Sequence, residues 1–315
     1  MYISLYINIK TYIYMSIYML VLINIAGFFS NFFKVLNWEL VNDNNIIVPY
    51  FITRSMKYIT HDFVYYTDTK IYENNENIWE KMFYPIREYN NNDLLDKNNK
   101  FCWDYPKGNQ YTFPYPLNNF KDGYIFCNYS IYVHPLFPQI RQIYHECYNK
   151  FKWTPYLKNH IENNLKIIPN PKKTVAVFFR FTKHYGEITE HLKNTIEELK
   201  VVMQDYDKLF LVTMITSVVK EVTAVFGDKV IILQDKNMVE TLNHDWGGVF
   251  VGNTHIPVEI NDYTKECIQC FTDVYLASTC DYILAGSSNM LLGALIINPT
   301  VKFKILDVLK DKNSG

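Results

Sequence analysis

The sequence predicts an α/β protein built on parallel, doubly wound sheets, and three stretches carry that prediction. Residues 173–233 alternate strand, helix, strand, helix and strand. Residues 19–51 run as strand, glycine turn, helix and strand, and residues 273–299 hold a helix end, a short apolar strand, a Gly-Ser-Ser turn and a new helix. Strands that alternate with helices select a parallel sheet, because a parallel neighbour is reached only through a crossover. Ligands of such sheets sit beyond the carboxyl ends of the strands.

Composition bounds the rest. The 315 residues, 49% hydrophobic and 17% aromatic, suffice for one large domain or two of ordinary size. The net charge of −1 gives no global basic field, which excludes nucleic acid as an expected partner. The cysteines at 102, 127, 147, 267, 270 and 280 are too few and too scattered for a disulfide framework. Cys267 and Cys270 form a C-x-x-C inside a helical pattern, with no second such pair and no histidine pair at zinc spacing, so packed thiols are expected. Asn128-Tyr129-Ser130 is a glycosylation sequon, which matters only in a secretory lumen.

In chain order, Lys10 is the only charge before Lys34, and residues 1–30 are apolar enough for membrane association through a bilayer span. The competing reading is a buried first strand over residues 19–25, stopped by Ala26-Gly27. The strand is favoured because the helix required by a strand-turn-helix unit comes next; residues 1–18 are then an N-terminal extension or anchor. Phe29, Phe32, Phe33, Leu36 and Leu40 share one face of a helix over 28–41, which breaks at an Asn/Asp run before a second strand over 46–51. Residues 52–125 read as an irregular insertion with Pro106, Pro114 and Pro116. Helical spacing returns over 138–168 and closes at Pro169-Asn170-Pro171, placing a boundary between a domain over 19–170 and one over 171–315.

The second half is more regular. An apolar strand over 173–181 carries Arg180 near its end, and a polar loop with Thr182 follows. A helix through Ile188, Leu192, Ile196 and Leu199 leads to a strand over 208–213, a helix over 218–226 and a strand over 229–233. After a loop with Trp246-Gly247-Gly248, a helix over 263–278 enters the strand 281–285, the Gly286-Ser287-Ser288 turn and a helix starting near Asn289. Arg180, Thr182, Ser287 and Ser288 thus all fall at carboxyl strand ends. Ser288 reads either as a helix cap alone or as a cap that also donates at an anion site. Arg180 reads as a surface ion-pair partner or as the group that neutralises a diphosphate. Asp273 reads as a solvated helix position or as an acceptor for the N–H groups of a base edge.

Four stretches carry a family resemblance. Residues 263–299, with Glu266, Asp273 and Ser287-Ser288-Asn289, resemble the last motif of the GDP-fucose-dependent fucosyltransferases, the superfamily of the core α1,6-, nodulation-factor and protein O-fucosyltransferases. Residues 175–187 are similar to their first donor motif, residues 208–233 to their middle motif, and residues 26–40 to their N-terminal glycine loop and helix. The resemblance implies a GT-B architecture of two Rossmann-like domains, an acceptor domain over 19–170 and a nucleotide-sugar domain over 171–315. It implies inverting transfer from GDP-fucose, or another GDP-sugar, to a glycan or protein acceptor, with no cofactor and no metal. By position, Arg180 binds the β-phosphate and assists departure of GDP, Asp273 reads guanine, Thr182, Ser287, Ser288 and Asn289 line the donor, and Gly27 lets the N-terminal loop approach. The pattern departs at Phe178, where the family has His, at Lys183, where it has an acid, and at Met214, where it has Asp. Those departures define an alternative: a catalytically silent relative that binds a nucleotide-sugar or glycan.

Overall fold

The computed structural model describes residues 18–22, 28–41, 46–50, 77–86, 129–179, 188–234, 236, 238, 249–251, 254–256 and 263–306. In the N-terminal half, β1 (Tyr18–Leu22) and β2 (Ile46–Tyr50) pair in parallel across α1 (Phe28–Val41), with Leu20 opposite Val48. The helix expected over 28–41 is therefore present over that span, and the first strand is described over Tyr18–Leu22, with residues 23–25 of the expected strand outside the described residues. Within the expected insertion lies α2 (Ile78–Met82), capped by Asn77, whose Oδ1 accepts from the Trp79 N–H at 3.1 Å. Within 52–125, residues other than 77–86 lie outside the described residues.

The helical run over 138–168 is two elements, with a short helix ahead of them. A short α3 (Tyr129–Tyr132) precedes α4 (Phe137–Tyr148), and α5 (Pro155–Leu165) starts afresh after the chain turns through Phe151 and Trp153. The restart is local chemistry. Thr154 accepts from the Leu157 N–H at 3.3 Å, and Pro155 occupies the first helical position, where its missing N–H costs nothing.

The C-terminal half contains β3 (Thr174–Phe178), α6 (Ile188–Val202), β4 (Lys208–Val212), α7 (Thr216–Phe226), β5 (Val230–Ile231), the hairpin β6 (Val249–Val251) and β7 (Thr254–Ile256), α8 (Tyr263–Thr279), β8 (Tyr282–Ala285), α9 (Asn289–Ile297) and β9 (Lys302–Ile305). Five of these strands make one sheet in the order β5-β4-β3-β8-β9, and every pairing in it is parallel. This is the doubly wound order, with the direction of winding reversing between β3 and β8. Alternation within β3 explains its continuous apolar run. Val175 and Val177 pack with Leu199, Val218 and Val222 of α6 and α7, while Ala176 and Phe178 join the core that holds α8 and α9. The edge strand β9 alternates exposed Lys302 and Lys304 with Phe303 and Ile305, a charged edge that discourages pairing with another chain. Gly227 ends α7 at φ 57°, a left-handed conformation that glycine adopts without a Cβ penalty.

Helix α8 is buried from Ile268 to Ser278 apart from the half-buried Tyr275, because helices of the N-terminal half cover the side turned away from the sheet. Phe271 is the hub of an aromatic cluster. Its ring lies 5.4 Å from Phe83 and 6.2 Å from both Phe28 and Phe32, and Trp79 stands 4.6 Å from Phe83. Such pairs contribute about 0.5–1.5 kcal/mol each beyond their buried area. One contact needs a glycine. A Cβ on Gly293 of α9 would stand 2.4 Å from the Phe29 ring, so α1 and α9 approach this closely only because position 293 has no side chain. On the opposite face of the sheet His191 stacks on Phe179 at 4.9 Å, and burial pushes its imidazole down to about 4. Among the described residues, no helix is long and apolar enough to cross a membrane.

Candidate functional site

The reversal of strand order between β3 and β8 opens the crevice in which this architecture binds ligands. The two strands stay in register to their ends, with Phe178 opposite Ala285. Beyond Phe178, Phe179 turns its N–H to the Val212 carbonyl at 2.9 Å, which ties the end of β3 to β4. Beyond Ala285 come Gly286, Ser287 and Ser288, and then α9. An added Cβ on Gly286 would meet nothing within 4 Å, so the turn borders open space.

Ser288 is the N-cap of α9. Its backbone is extended, and its Oγ accepts from the Leu291 N–H at 3.2 Å. The cap is held from outside by Tyr132 of α3, whose hydroxyl donates to the Ser288 carbonyl at 2.9 Å and accepts from the Ser288 N–H at 3.3 Å. The structure thus places Ser288 in the capping role, and its hydroxyl proton is the part left to donate. Ser287 is half-buried, and Asn289 is 9% exposed in the first turn. No acidic residue stands in that turn, so the positive end of the α9 dipole is not offset from within the helix. A turn of this kind accommodates an anion such as a phosphate.

Asp273 is not solvated. It lies 5% exposed in α8, and Lys236, in the segment that follows β5, places its Nζ 2.6 Å from Oδ1. Burial raises the Asp273 carboxyl above the ordinary carboxylate range, and the Lys236 ammonium opposes that rise. The approach is an ion pair by distance, yet among the described residues neither Nζ nor Oδ1 completes a hydrogen bond of regular geometry. The sheet and its helices thus bring Ser287, Ser288 and Asn289 to the reversal point, with Asp273 on a helix that packs against β3 and β4. Gly27, Arg180 and Thr182 lie outside the described residues, as does Lys183.

Two members of the site carry no sequence signal. Tyr132 belongs to a four-residue helix without periodicity, and Lys236 follows a two-residue strand in a stretch with no pattern. Phe178, where the family motif has a histidine, is 4% exposed within the core. Met214 lies half-buried just past the end of β4, next to Thr213, whose Oγ1 accepts from the Ile215 N–H at 3.3 Å. Among the described residues, no group of three His, Cys, Asp or Glu side chains is placed to hold a metal ion. Cys267 and Cys270 both lie on α8, the first half-buried and the second buried.

No family model matches this sequence, and no curated protein matches it. Solved structures do match its fold. The NodZ α1,6-fucosyltransferase soaked with GDP-fucose aligns with a TM-score of 0.51 at 12% identity, over 90% of this chain and 93% of the other. Selenomethionine fucosyltransferase NodZ from Bradyrhizobium gives a TM-score of 0.50 at 12% identity over the same shares. The fold is that of the GT-B fucosyltransferases. Within this fucosyltransferase fold, the five-stranded parallel sheet supplies the strand reversal, and α9 supplies the helix N-terminus beside it.

Proposed function

We propose that this chain is a glycosyltransferase that transfers fucose from GDP-fucose, or a related sugar from another GDP-sugar, to a glycan or protein acceptor with inversion of the anomeric centre. The observation that carries this reading is the Gly286-Ser287-Ser288 turn and the α9 N-terminus standing at the strand reversal of a sheet with the fucosyltransferase fold. In this reading the N-terminal end of α9, with Ser287, Ser288 and Asn289, holds the diphosphate. Arg180 and Thr182 meet it from the β3 side. The Arg180 guanidinium offsets the charge that develops on GDP as the sugar departs, a role that elsewhere falls to a metal ion. Asp273 takes the base, Gly27 lets the N-terminal loop come close, and residues 19–170 carry the acceptor side.

A second reading, a silent relative that binds a nucleotide-sugar or glycan without turning it over, is favoured by one observation. Phe178 is packed into the core at the place where the family motif has a polar ring. Titration calorimetry of the full chain with GDP and GDP-fucose, followed by assays of donor hydrolysis and transfer, separates the two. Binding with turnover supports the transferase, and binding without turnover leaves the second reading. No binding of either nucleotide sinks the first and weakens the second, leaving it only the glycan. If GDP binds, Arg180→Ala weakens it by about 1.5–3 kcal/mol, the worth of a charge-assisted hydrogen bond; an unchanged affinity removes Arg180 from the site.

A further inference from the structure

A cavity of about 350 Å³ lies at the end of α9 remote from the strand-reversal crevice. Tyr148, Asn149 and Trp153 line it from the N-terminal half, and Tyr275, Ser278 and Thr279 from the C-terminal half, so it sits where the two halves meet. Junctions of this kind are preferred places for small-ligand sites. Asn298, the C-cap of α9, borders the cavity, and the nine helical residues put ~13 Å of helix between that end and the Ser288 cap.

The chemistry of the walls selects the ligand. Helices α4, α8 and α9 all end at the cavity, so their carbonyl poles disfavour an anion. A cation is no better served. Among the described residues no charged side chain lines the cavity, and Arg141 already occupies the carbonyls at the end of α9. What the walls offer is neutral acceptors and aromatic rings. Ser278 Oγ donates to the Tyr275 carbonyl at 2.6 Å and Thr279 Oγ1 to the Leu276 carbonyl at 2.7 Å, which commits both protons and leaves their lone pairs. His145 Nδ1 donates to the Ile296 carbonyl at 2.8 Å, so Nε2 accepts an amide N–H of Asn149 at 2.9 Å and the Asn149 side-chain oxygen is left to accept. Trp153 and Tyr275, both half-buried, meet with ring centroids 4.8 Å apart and planes at 77°, forming an aromatic corner.

We propose that this cavity binds an uncharged carbohydrate, one sugar ring or two, at a site separate from the donor crevice. Sugar hydroxyls supply the donors that Ser278, Thr279 and Asn149 lack, and the C–H face of a sugar ring packs on the electron-rich faces of the aromatic corner. The volume stands at the lower end of small-molecule sites, about 300–1,000 Å³, which suits a ligand of that size. The proposal does not depend on the nucleotide reading above.

Saturation-transfer NMR of the full chain with lactose, cellobiose, maltose and methyl mannoside, and with choline and glucuronate as charged controls, tests it. At least one neutral sugar is expected to bind at about 10 mM or below, and neither control. Tyr275→Leu is expected to weaken that sugar ~10-fold and Thr279→Val ~3–10-fold, the worth of one aromatic contact and of one hydrogen bond. Asn149→Ala, at an exposed position, is expected to weaken it ~3-fold or more and keeps the test open where the other variants do not fold. Failure of all four sugars to bind overturns the proposal, as does choline or glucuronate bound in their place. Sugar affinity unchanged in the folded variants overturns it as well, because the sugar then sits elsewhere. Calorimetry with GDP separates the two sites: GDP affinity, where the wild-type chain shows one, is expected to be equal in all three variants, and a parallel fall in GDP and sugar affinity overturns the claim of a separate site.

Discussion

The two ends of α9 are held by different chemistry. At the C-terminal end, Arg141 of α4 donates from Nε to the Leu295 carbonyl at 3.1 Å and from Nη2 to the carbonyls of Asn298 at 3.1 Å and Val301 at 3.2 Å. Its guanidinium also lies over the Phe137 and Phe303 rings, and burial lowers it to about 10. His145 Nδ1 stands 2.8 Å from the Ile296 carbonyl, and Asn298 Nδ2 donates to the Ser278 carbonyl at 2.7 Å. At the N-terminal end, the hydroxyls of Ser288 and Tyr132, both neutral, hold the cap. A cation at the carbonyl end and no acid in the helix's own first turn leave the negative pole compensated and the positive pole, turned to the strand-reversal crevice, not offset from within the helix. The difference separates duties: one end anchors the helix, the other keeps its electrostatic attraction for an anion. Both anchors come from α3 and α4, so the N-terminal half positions the site in the C-terminal half.

Three substitutions break or sharpen this comparison. Arg141→Leu removes the donor from two buried carbonyls, Leu295 and Val301, and from the part-buried Asn298 carbonyl, and is expected to cost roughly 3–5 kcal/mol in urea denaturation, at about 1–3 kcal/mol for each buried group left unpaired. A loss below about 1 kcal/mol, the size of a surface effect, shows that Arg141 is not the anchor. Gly293→Ala, in the middle of the helix, gains about 1 kcal/mol of helix propensity but forces its Cβ against Phe29, and the net expectation is a loss of about 1–3 kcal/mol from overpacking. Phe29 is 2% exposed and enclosed by other rings, so it has little room to yield. A net gain in stability means that α1 and α9 separate freely. Tyr132→Phe deletes the hydroxyl that bridges the two backbone groups of Ser288, with an expected loss of about 1 kcal/mol. The comparison fails if that loss equals the cost of Arg141→Leu, because the neutral end is then as strongly fixed as the charged one.

Much of the fold was legible along the chain because most of its elements are marked locally. The apolar spacing of Phe29, Phe32, Phe33 and Leu36 marks α1, and all four prove buried. The uncharged run through Val175 and Val177 marks a strand covered on both faces, which β3 is. The Gly-Ser-Ser turn before α9 is equally local, whereas the helical spacing over 138–168 reads as one continuous run across the break between α4 and α5. The strand β9 escaped because its four residues alternate lysines with apolar side chains after Pro299, a pattern shared with many loops; only pairing with β8 makes it a strand. The hairpin β6–β7 is shorter still. At the site, Ser287, Ser288 and Asn289 were visible because strand, turn and cap follow one another directly.

The sequence by itself determined most of the helices and strands, that the second half alternates them, and that a serine caps a helix after a glycine turn. These features depend on residues within one or two turns of each other, and their physics acts over that range. Only the tertiary structure decided the strand order, the reversal between β3 and β8, and the three partnerships that define the site. Tyr132 meets Ser288, Arg141 meets the end of α9, and Lys236 meets Asp273, each across a separation at which no periodicity survives. A helical acid reads as solvated from its neighbours in the chain. Asp273 is buried because the sheet covers one side of α8 and the aromatic cluster of the N-terminal half covers the other, a fact about packing that no local pattern encodes.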